Sequence, residues 1–280
     1  MNPGLYRGMP EAEYRAASGI NQSRLKIARW SLQAYRASIQ LEEEEDEVNR
    51  AVLGLSALRI GTALHTAEAS FDTFCRRYVV LGKGLSRSSA DGKRAVEQAG
   101  GKDMVLTHVE YGRIIGMRQA LHELPEYQLA TMACSRECAW FWQDPDTGLL
   151  LKGLVDILPA AGRAIADIKS IRAGYCTPER FANQAEELGY DIQAAFYLDG
   201  LNGVLTDDKR EQFWFFVVES SAPFIARAFP MDPDWIEVGR QKYRKLLKQV
   251  AEAELTGQWV SRVEPTVVRR PEWASRRDAT

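Results

Sequence analysis

Three strand-like runs joined by two tight turns constrain this chain more than any other feature. They are Glu137–Gln143 (ECAWFWQ), Leu149–Leu158 (LLLKGLVDIL) and Ala164–Ser170 (AIADIKS), rich in the aliphatic and aromatic residues that strands favour. Their links, DPDTG at 144–148 and PAAGR at 159–163, carry the Pro, Asp and Gly that tight turns use. The order predicts a three-stranded antiparallel meander.

The second turn sets a register. With its centre near Ala161, Asp156 and Asp167 stand opposite each other. Directly opposed residues on antiparallel strands share a face, with Cβ atoms about 5 Å apart. Two carboxylates at that separation repel unless a cation or a proton lies between them. Lys169, two residues beyond Asp167, falls on the same face by strand alternation. Asp167 and Lys169 also suit an ordinary surface pair on an edge strand, but Ile165 and Ile168 give this strand a core side.

Other residues join this trio with less force. Glu137 lies beside Val155 or Asp156 according to register, as a third acid or as a structural residue, because a one-residue slip moves it to the other face. Lys152 shares a face with Asp156 and reads as a phosphate contact or a solvated lysine. Gln193 and Tyr197, four apart, share a helix face, although a tyrosine there also suits a core. His65, in GTALH, would by itself be a structural histidine. Gly61, one turn earlier, leaves room for the close approach of another backbone.

Around the meander, Asn21–Gln40, Val52–Ala69 and Thr107–Leu124 have helical spacing, the last closed by Pro125. Phe74–Leu81 reads as a strand. Pro178–Glu187 and Tyr190–Asn202 follow as helices, Glu211–Glu219 and Phe224–Pro230 as strands, and Asp232–Leu255 as a long closing helix with Pro233 in its first turn. The expected class is α/β (α+β): a central mixed β-sheet containing the meander, flanked by helices. One domain is expected over 1–260, with an N-terminal helical part at 1–50 and a basic, mobile connector with a short helix inside it at 82–101. A C-terminal tail occupies 261–280.

Composition narrows the function. The net charge is −2 over 280 residues, which argues against a DNA-coating protein but not against an enzyme that grips DNA locally. Charge is uneven: Glu42–Glu47 is an acidic run, while Lys83, Arg87, Lys93 and Arg94 concentrate positive charge expected to meet phosphates. No apolar run reaches the roughly 20 residues of a membrane helix. Met1–Pro10 does not read as a signal peptide, so a cytoplasmic protein without membrane attachment is expected. The 4 cysteines are too few for a disulfide scaffold, and Cys134 and Cys138 have no second close pair for a zinc or iron–sulfur site.

Two acids and a lysine suit phosphodiester hydrolysis. Hard divalent cations prefer carboxylate oxygens, and such a cation polarises phosphate and acidifies bound water. A nearby ammonium orients or deprotonates that water and stabilises charge at phosphorus.

In order along the chain, Gly61–His65 (GTALH), Gly153–Asp156 (GLVD), Asp167–Ser170 (DIKS) and Gln193–Tyr197 (QxxxY) resemble the motifs of the PD-(D/E)xK nuclease superfamily. The resemblance is to its RecB-like branch, and within it to the RecE-like (exonuclease VIII) domains and related phage exonucleases, from about Tyr6 to about Trp259. It implies a restriction-endonuclease-like fold. It also implies metal ligation by His65, Asp156, Asp167 and the Ile168 carbonyl, with Mg²⁺ as cofactor and Mn²⁺ as a substitute. Lys169 matches the catalytic lysine. Gln193 and Tyr197 match a motif of the exonuclease members, and Glu137 joins the catalytic set as a second-rank acid. Relatives of this kind form rings, act on double-stranded DNA ends in the 5′→3′ direction, and hand a 3′ strand to a RecT-type annealing protein. In RecE-like proteins an arginine stands two residues before the first acid; this chain has Leu154 there. The cysteine pattern does not resemble the iron–sulfur members, so no cluster is expected. A structure-specific or flap endonuclease, and a non-catalytic DNA-binding module, stand as alternatives.

Overall fold

The structure is a computed structural model that describes residues 1–40, 55–207, 209–260 and 267–269. The acidic run, the start of the Val52–Ala69 helix and most of the tail lie outside the described residues.

A six-stranded sheet forms the centre, in the order β1-β4-β5-β6-β7-β8. The meander is β4 (Cys134–Gln143), β5 (Leu150–Pro159) and β6 (Ala164–Ile171). Its first turn is held by Asp144, which accepts from the Thr147 amide at 2.9 Å and its hydroxyl at 2.7 Å. β7 (Gln212–Glu219) runs parallel to β6, and β8 (Ala226–Pro230) returns antiparallel. β7 is buried on both faces, hence its continuous apolar run FWFFVV. At the opposite edge, β1 (Gly4–Tyr6) pairs with β4, a strand the sequence did not suggest. A parallel pair, β2 (Val79–Val80) and β3 (Val105–Leu106), lies apart.

Helices cover both faces. One core joins Trp140, Phe213, Phe215 and Val217 to α2 (Gln22–Ile27), α9 (Pro178–Leu188), α10 (Tyr190–Val204) and α11 (Pro233–Thr256). The other joins Ile157, Ile168, Phe216 and Val218 to α4 (Leu55–Ala69), α5 (Phe71–Arg77), α7 (His108–His122) and α8 (Pro125–Met132). Among the described residues no helix is long and apolar enough to cross a membrane.

Several expectations need correction. Asn21–Gln40 is not one helix: α2 ends at Ile27, and α3 (Leu32–Gln40) starts afresh where Ser31 caps two amides. Phe74–Leu81 is mainly the end of α5, because Ser70 caps a helix starting at Phe71 and Phe74 is drawn into the second core. Pro125 does not simply end α7; it opens α8 at a first-turn position, where its missing N–H is harmless.

The segment 82–101 holds the short helix expected inside it and is anchored at Arg87. It contains α6 (Ala90–Gln98), capped by Ser89. Arg87 donates to the Val105 carbonyl at 2.8 Å and pairs with Glu110. Glu110 also closes a capping box with Thr107 at the start of α7 and pairs with Arg59 at 2.9 Å. Burial opposes its ionisation, but the two arginines and the Thr107 amide outweigh this and hold its pKa down, at about 2. Arg87 therefore fastens this segment rather than waiting for phosphate, while Arg94 pairs with Asp91 in the open, both side chains more than half exposed. Lys83 and Lys93 are exposed.

Candidate active site

The site forms where the regular pleat of the meander fails. On β4, Arg136 pairs with Ile157 and Cys138 with Val155, so Glu137 stands across from Asp156. Glu137 has φ +46°, a left-handed conformation that a non-glycine residue adopts only when its surroundings enforce it. The consequence is visible on both sides of it. Cys134 and Cys138 would share a face in a regular strand, yet Cys138 packs in the α10-side core and Cys134 against the α4-side core. On β5, Val155 and Ile157 divide in the same way. The pleat inverts on two neighbouring strands at Glu137 and Asp156, which frees both acids from either core. Glu137 lines one pocket with His65, Glu68, Arg136, Asp156 and Ile168. Of its two expected positions it takes the one beside Asp156.

β5 meets β6 at the pair Ile157–Ala166, the register expected from the turn, which sets Asp156 against Asp167. The Ile168 amide donates to Asp156 Oδ2 at 2.8 Å. That oxygen also lies 3.1 Å from His65 Nδ1. The other acid faces the opposite helical layer: Gln193 Nε2 donates to Asp167 Oδ1 at 2.6 Å, and Lys169 Nζ lies 2.6 Å from Asp167 Oδ2. Thus α4 supplies His65, α10 supplies Gln193, and the hairpin between them supplies both acids and the lysine.

The electrostatics separate the carboxylates. Burial penalises ionised Asp156, but the charge and hydrogen bond of His65, with the Ile168 amide, outweigh it and lower its pKa. Asp167 is raised, first by burial and also by Asp156, against the pull of Lys169. His65 loses stability as a cation through burial, yet Asp156 more than compensates and lifts it to about 9. Lys169 is likewise opposed by burial and held above its usual range by Asp167. The corner therefore has excess negative charge, only partly matched by protein cations.

That excess is the test of whether a metal fits. Two carboxylates and the Ile168 carbonyl are hard oxygen donors of the type Mg²⁺ prefers, and a divalent cation would offset the burial and the Asp156 charge that raise Asp167. Among the described residues no three His, Cys, Asp or Glu side chains are already gathered as a cage, since Asp156 and Asp167 are engaged with His65, Lys169 and Gln193. The carboxylate donors Asp156 and Asp167 fit such an ion, and His65 would join them only by giving up the proton that Asp156 stabilises.

Other expected residues are placed differently. Tyr197 is buried against Trp140, with ring centroids 5.9 Å apart, and Phe213. Its neighbour one turn earlier, Gln193, reaches the acids. Lys152 corrects the expectation of a phosphate contact: it is 5 % exposed. Its ammonium donates to the carbonyls of Tyr14, Arg15 and Ala17 at 3.0, 3.2 and 2.5 Å. It caps the C-terminal end of α1 (Glu11–Ala16), where carbonyls lack helical partners and a cation is favoured. Gly61 faces a side chain rather than a backbone: a Cβ there would lie 3.5 Å from Ser170 Oγ.

Sequence reasoning missed three neighbours. Tyr190 presents its ring to the Lys169 ammonium, 4.9 Å from the centroid, a cation–π contact. Glu68, one turn after His65, is tied to Tyr127, His122 and Arg136 and fastens α4 beside the pocket. Lys26 of α2 approaches the far side of the site. Glu68 and Tyr190 had a signal, their helical spacing from His65 and Gln193; Lys26 comes from a segment that only tertiary packing brings in.

A family model described as a PDDEXK-like domain of unknown function (DUF3799) matches residues 34–266. The chain belongs to that family. Membership places this PDDEXK-like protein in the PD-(D/E)xK nuclease superfamily and agrees with the motifs that suggested it. Among solved structures, a candidate exonuclease from Eubacterium rectale superposes with a TM-score of 0.59 at 13% identity, covering 95% of this chain and 96% of that one. At that identity the likeness speaks to the fold alone, and it supports the mixed sheet flanked by helices. The crystal structure of SSO0001 overlaps over 63% of this chain and 71% of its own, with a TM-score of 0.30 at 13% identity, and carries no argument. No curated protein matches the chain in sequence.

Proposed function

We propose that this PDDEXK-like protein is a Mg²⁺-dependent double-strand DNA exonuclease of the RecE-like kind, degrading 5′ ends to leave 3′ single strands for recombination. The observation that carries the reading is the hairpin itself. Asp156 and Asp167 stand opposed at the pleat inversion, with Lys169 Nζ 2.6 Å from Asp167 Oδ2. Mn²⁺ is expected to replace Mg²⁺. A bound divalent cation supplies Lewis-acid charge at the scissile phosphate and acidifies water.

The chain's own groups do the rest. Asp156 and Asp167 would hold the ion, Asp156 anchored by the Ile168 amide and Asp167 by Gln193. The Lys169 ammonium, backed by the Tyr190 ring, places positive charge where the phosphate gains negative charge in the transition state. Glu137, raised by burial and by Asp156, is a second proton acceptor within the same pocket. Water attacks phosphorus and the bond to the 3′ oxygen breaks; the departing terminal nucleotide takes that oxygen as its 3′ hydroxyl, and the shortened strand keeps the attacked phosphate as its new 5′ end. The proposal extends to a ring assembly and to transfer of the 3′ strand to a RecT-type annealing protein, in a phage or prophage setting.

Gln193 on Asp167 favours an exonuclease over an endonuclease, since this glutamine matches the motif of exonuclease members. Incubation of linear duplex beside covalently closed circular DNA separates the two. The linear molecule is expected to disappear while the circle survives; a cut circle would replace the exonuclease reading with an endonuclease.

A further inference from the structure

The C-terminal end of α2 sits against the active site on the side away from His65. Lys26 donates to the Leu188 carbonyl at 3.0 Å, and its ammonium lies 6.0 Å from the centroid of Tyr190. The Lys169 ammonium lies 4.9 Å from the same ring, so one tyrosine connects two lysines. Arg29 follows one turn later. Lys26 and Arg29 both close on Gly189, where a Cβ would lie 3.0 Å from Lys26 Cδ and 2.7 Å from Arg29 Nη1. Carboxylates act on both: Asp167 and Asp191 on Lys26, and Glu186 on Arg29. Burial, with the neighbouring Lys169 charge, depresses Lys26 to about 7 against the pull of Asp167 and Asp191.

Beside them is the exposed aromatic Trp30, 81% accessible, with the Arg29 guanidinium 5.9 Å from its ring centroid. An indole left in water beside two cations has the form of a stacking platform, and bases stack on such rings regardless of sequence. Two cations and an exposed indole, within about one helical turn, form the combination that grips a single strand: charge for the backbone and a ring for the base. The basic segment 82–101 offers no such set: Lys83 and Lys93 are exposed, but it contains no aromatic residue.

We propose that the end of α2 is a single-strand DNA grip, in which Lys26 and Arg29 contact successive phosphates and Trp30 stacks on a base next to the scissile nucleotide. This rests on the nuclease reading and adds its substrate contact: the strand is held unpaired as it meets Lys169.

Fluorescence anisotropy with labelled single-stranded and blunt duplex oligonucleotides, in chelator so that nothing is cut, tests the grip on the whole protein. Trp30→Ala is expected to weaken single-strand binding about 10-fold and duplex binding less, while Trp30→Phe keeps most of the affinity. Its thermal midpoint should match wild type, because the side chain is exposed. Lys26→Gln with Arg29→Gln should flatten the dependence of log affinity on log salt by roughly one unit. The proposal is overturned by an unchanged affinity and salt slope in all variants, or by equal losses on duplex and single strand. In either case, retained Mg²⁺-dependent cleavage leaves the nuclease reading intact. Wild-type protein that neither binds nor cuts DNA overturns both.

Discussion

Replacing Lys169 by alanine should lower DNA cleavage by about 1000-fold or more, the range lost when a preorganised charge is removed from a developing anion, while duplex binding changes only severalfold. Lys169 earns this expectation from its surroundings. It sits 2.6 Å from Asp167 Oδ2 and above the rings of Tyr190 and Phe215, at 4.9 and 5.9 Å from their centroids. Arginine should not rescue it. A planar guanidinium is wider than an ammonium, and the space between Asp167 and Tyr190 is shaped for a compact charge. Stability should fall by about 1–3 kcal/mol, the cost of leaving a buried acceptor without its partner. Single-turnover cleavage rates and thermal midpoints of Lys169→Ala and Lys169→Arg report the two effects separately. Cleavage within 10-fold of wild type in the alanine variant would remove Lys169 from the mechanism.

The second large effect belongs to a residue with no chemistry. Gly153→Ala should destabilise the fold by about 3 kcal/mol, at the upper end of overpacking penalties. A Cβ at Gly153 would lie 2.2 Å from Trp140 Cζ2. Trp140, fully buried, is Gly153's partner across the β4–β5 ladder. The indole cannot retreat, because on its other side Gly200 of α10 leaves room for it so closely that a Cβ there would lie 2.3 Å from Cη2. Phe196, 5.4 Å away between centroids, closes the remaining space. The strain passes to the site on both sides, through β5 to Asp156 and through α10 to Gln193. Activity at a permissive temperature should therefore fall with stability. A denaturant midpoint within about 0.5 kcal/mol of wild type would show that the Trp140 layer is softer than described. Trp140→Phe in the same chain should recover part of the loss, since contacting residues couple.

This glycine shows how unevenly the sequence carried the structure. It belongs to the GLVD motif, where a functional reading attaches to the aspartate; the glycine's role lies in an indole on the next strand. The Asp156–Asp167 register was legible because it depends on one short turn, and a turn is local. His65 was legible only through the resemblance, since nothing about a lone histidine on a helix announces a partner 91 positions along the chain at Asp156. Glu137 was half legible. Its neighbourhood followed from the register, but its φ of +46° has no signature in composition, so the inversion of the pleat could not be foreseen. Lys152 misled because alternation placed it correctly on a face, while the three carbonyls that consume its charge come from α1, far away in sequence. Arg87 misled for the same reason: a cluster of basic residues says nothing about the Glu110 that awaits one of them.

The most direct measurement of the central claim is digestion of 5′- and 3′-end-labelled linear duplex DNA by the wild-type protein and by Asp167→Asn, with Mg²⁺ and with chelator. Wild type with Mg²⁺ should release 5′-phosphorylated nucleotides and leave a long 3′ strand, while chelator or the asparagine variant stops release although the variant remains folded. Equal digestion by wild type and Asp167→Asn, or digestion undiminished by chelator, would contradict a metal-dependent nuclease built on the Asp156–Asp167 hairpin.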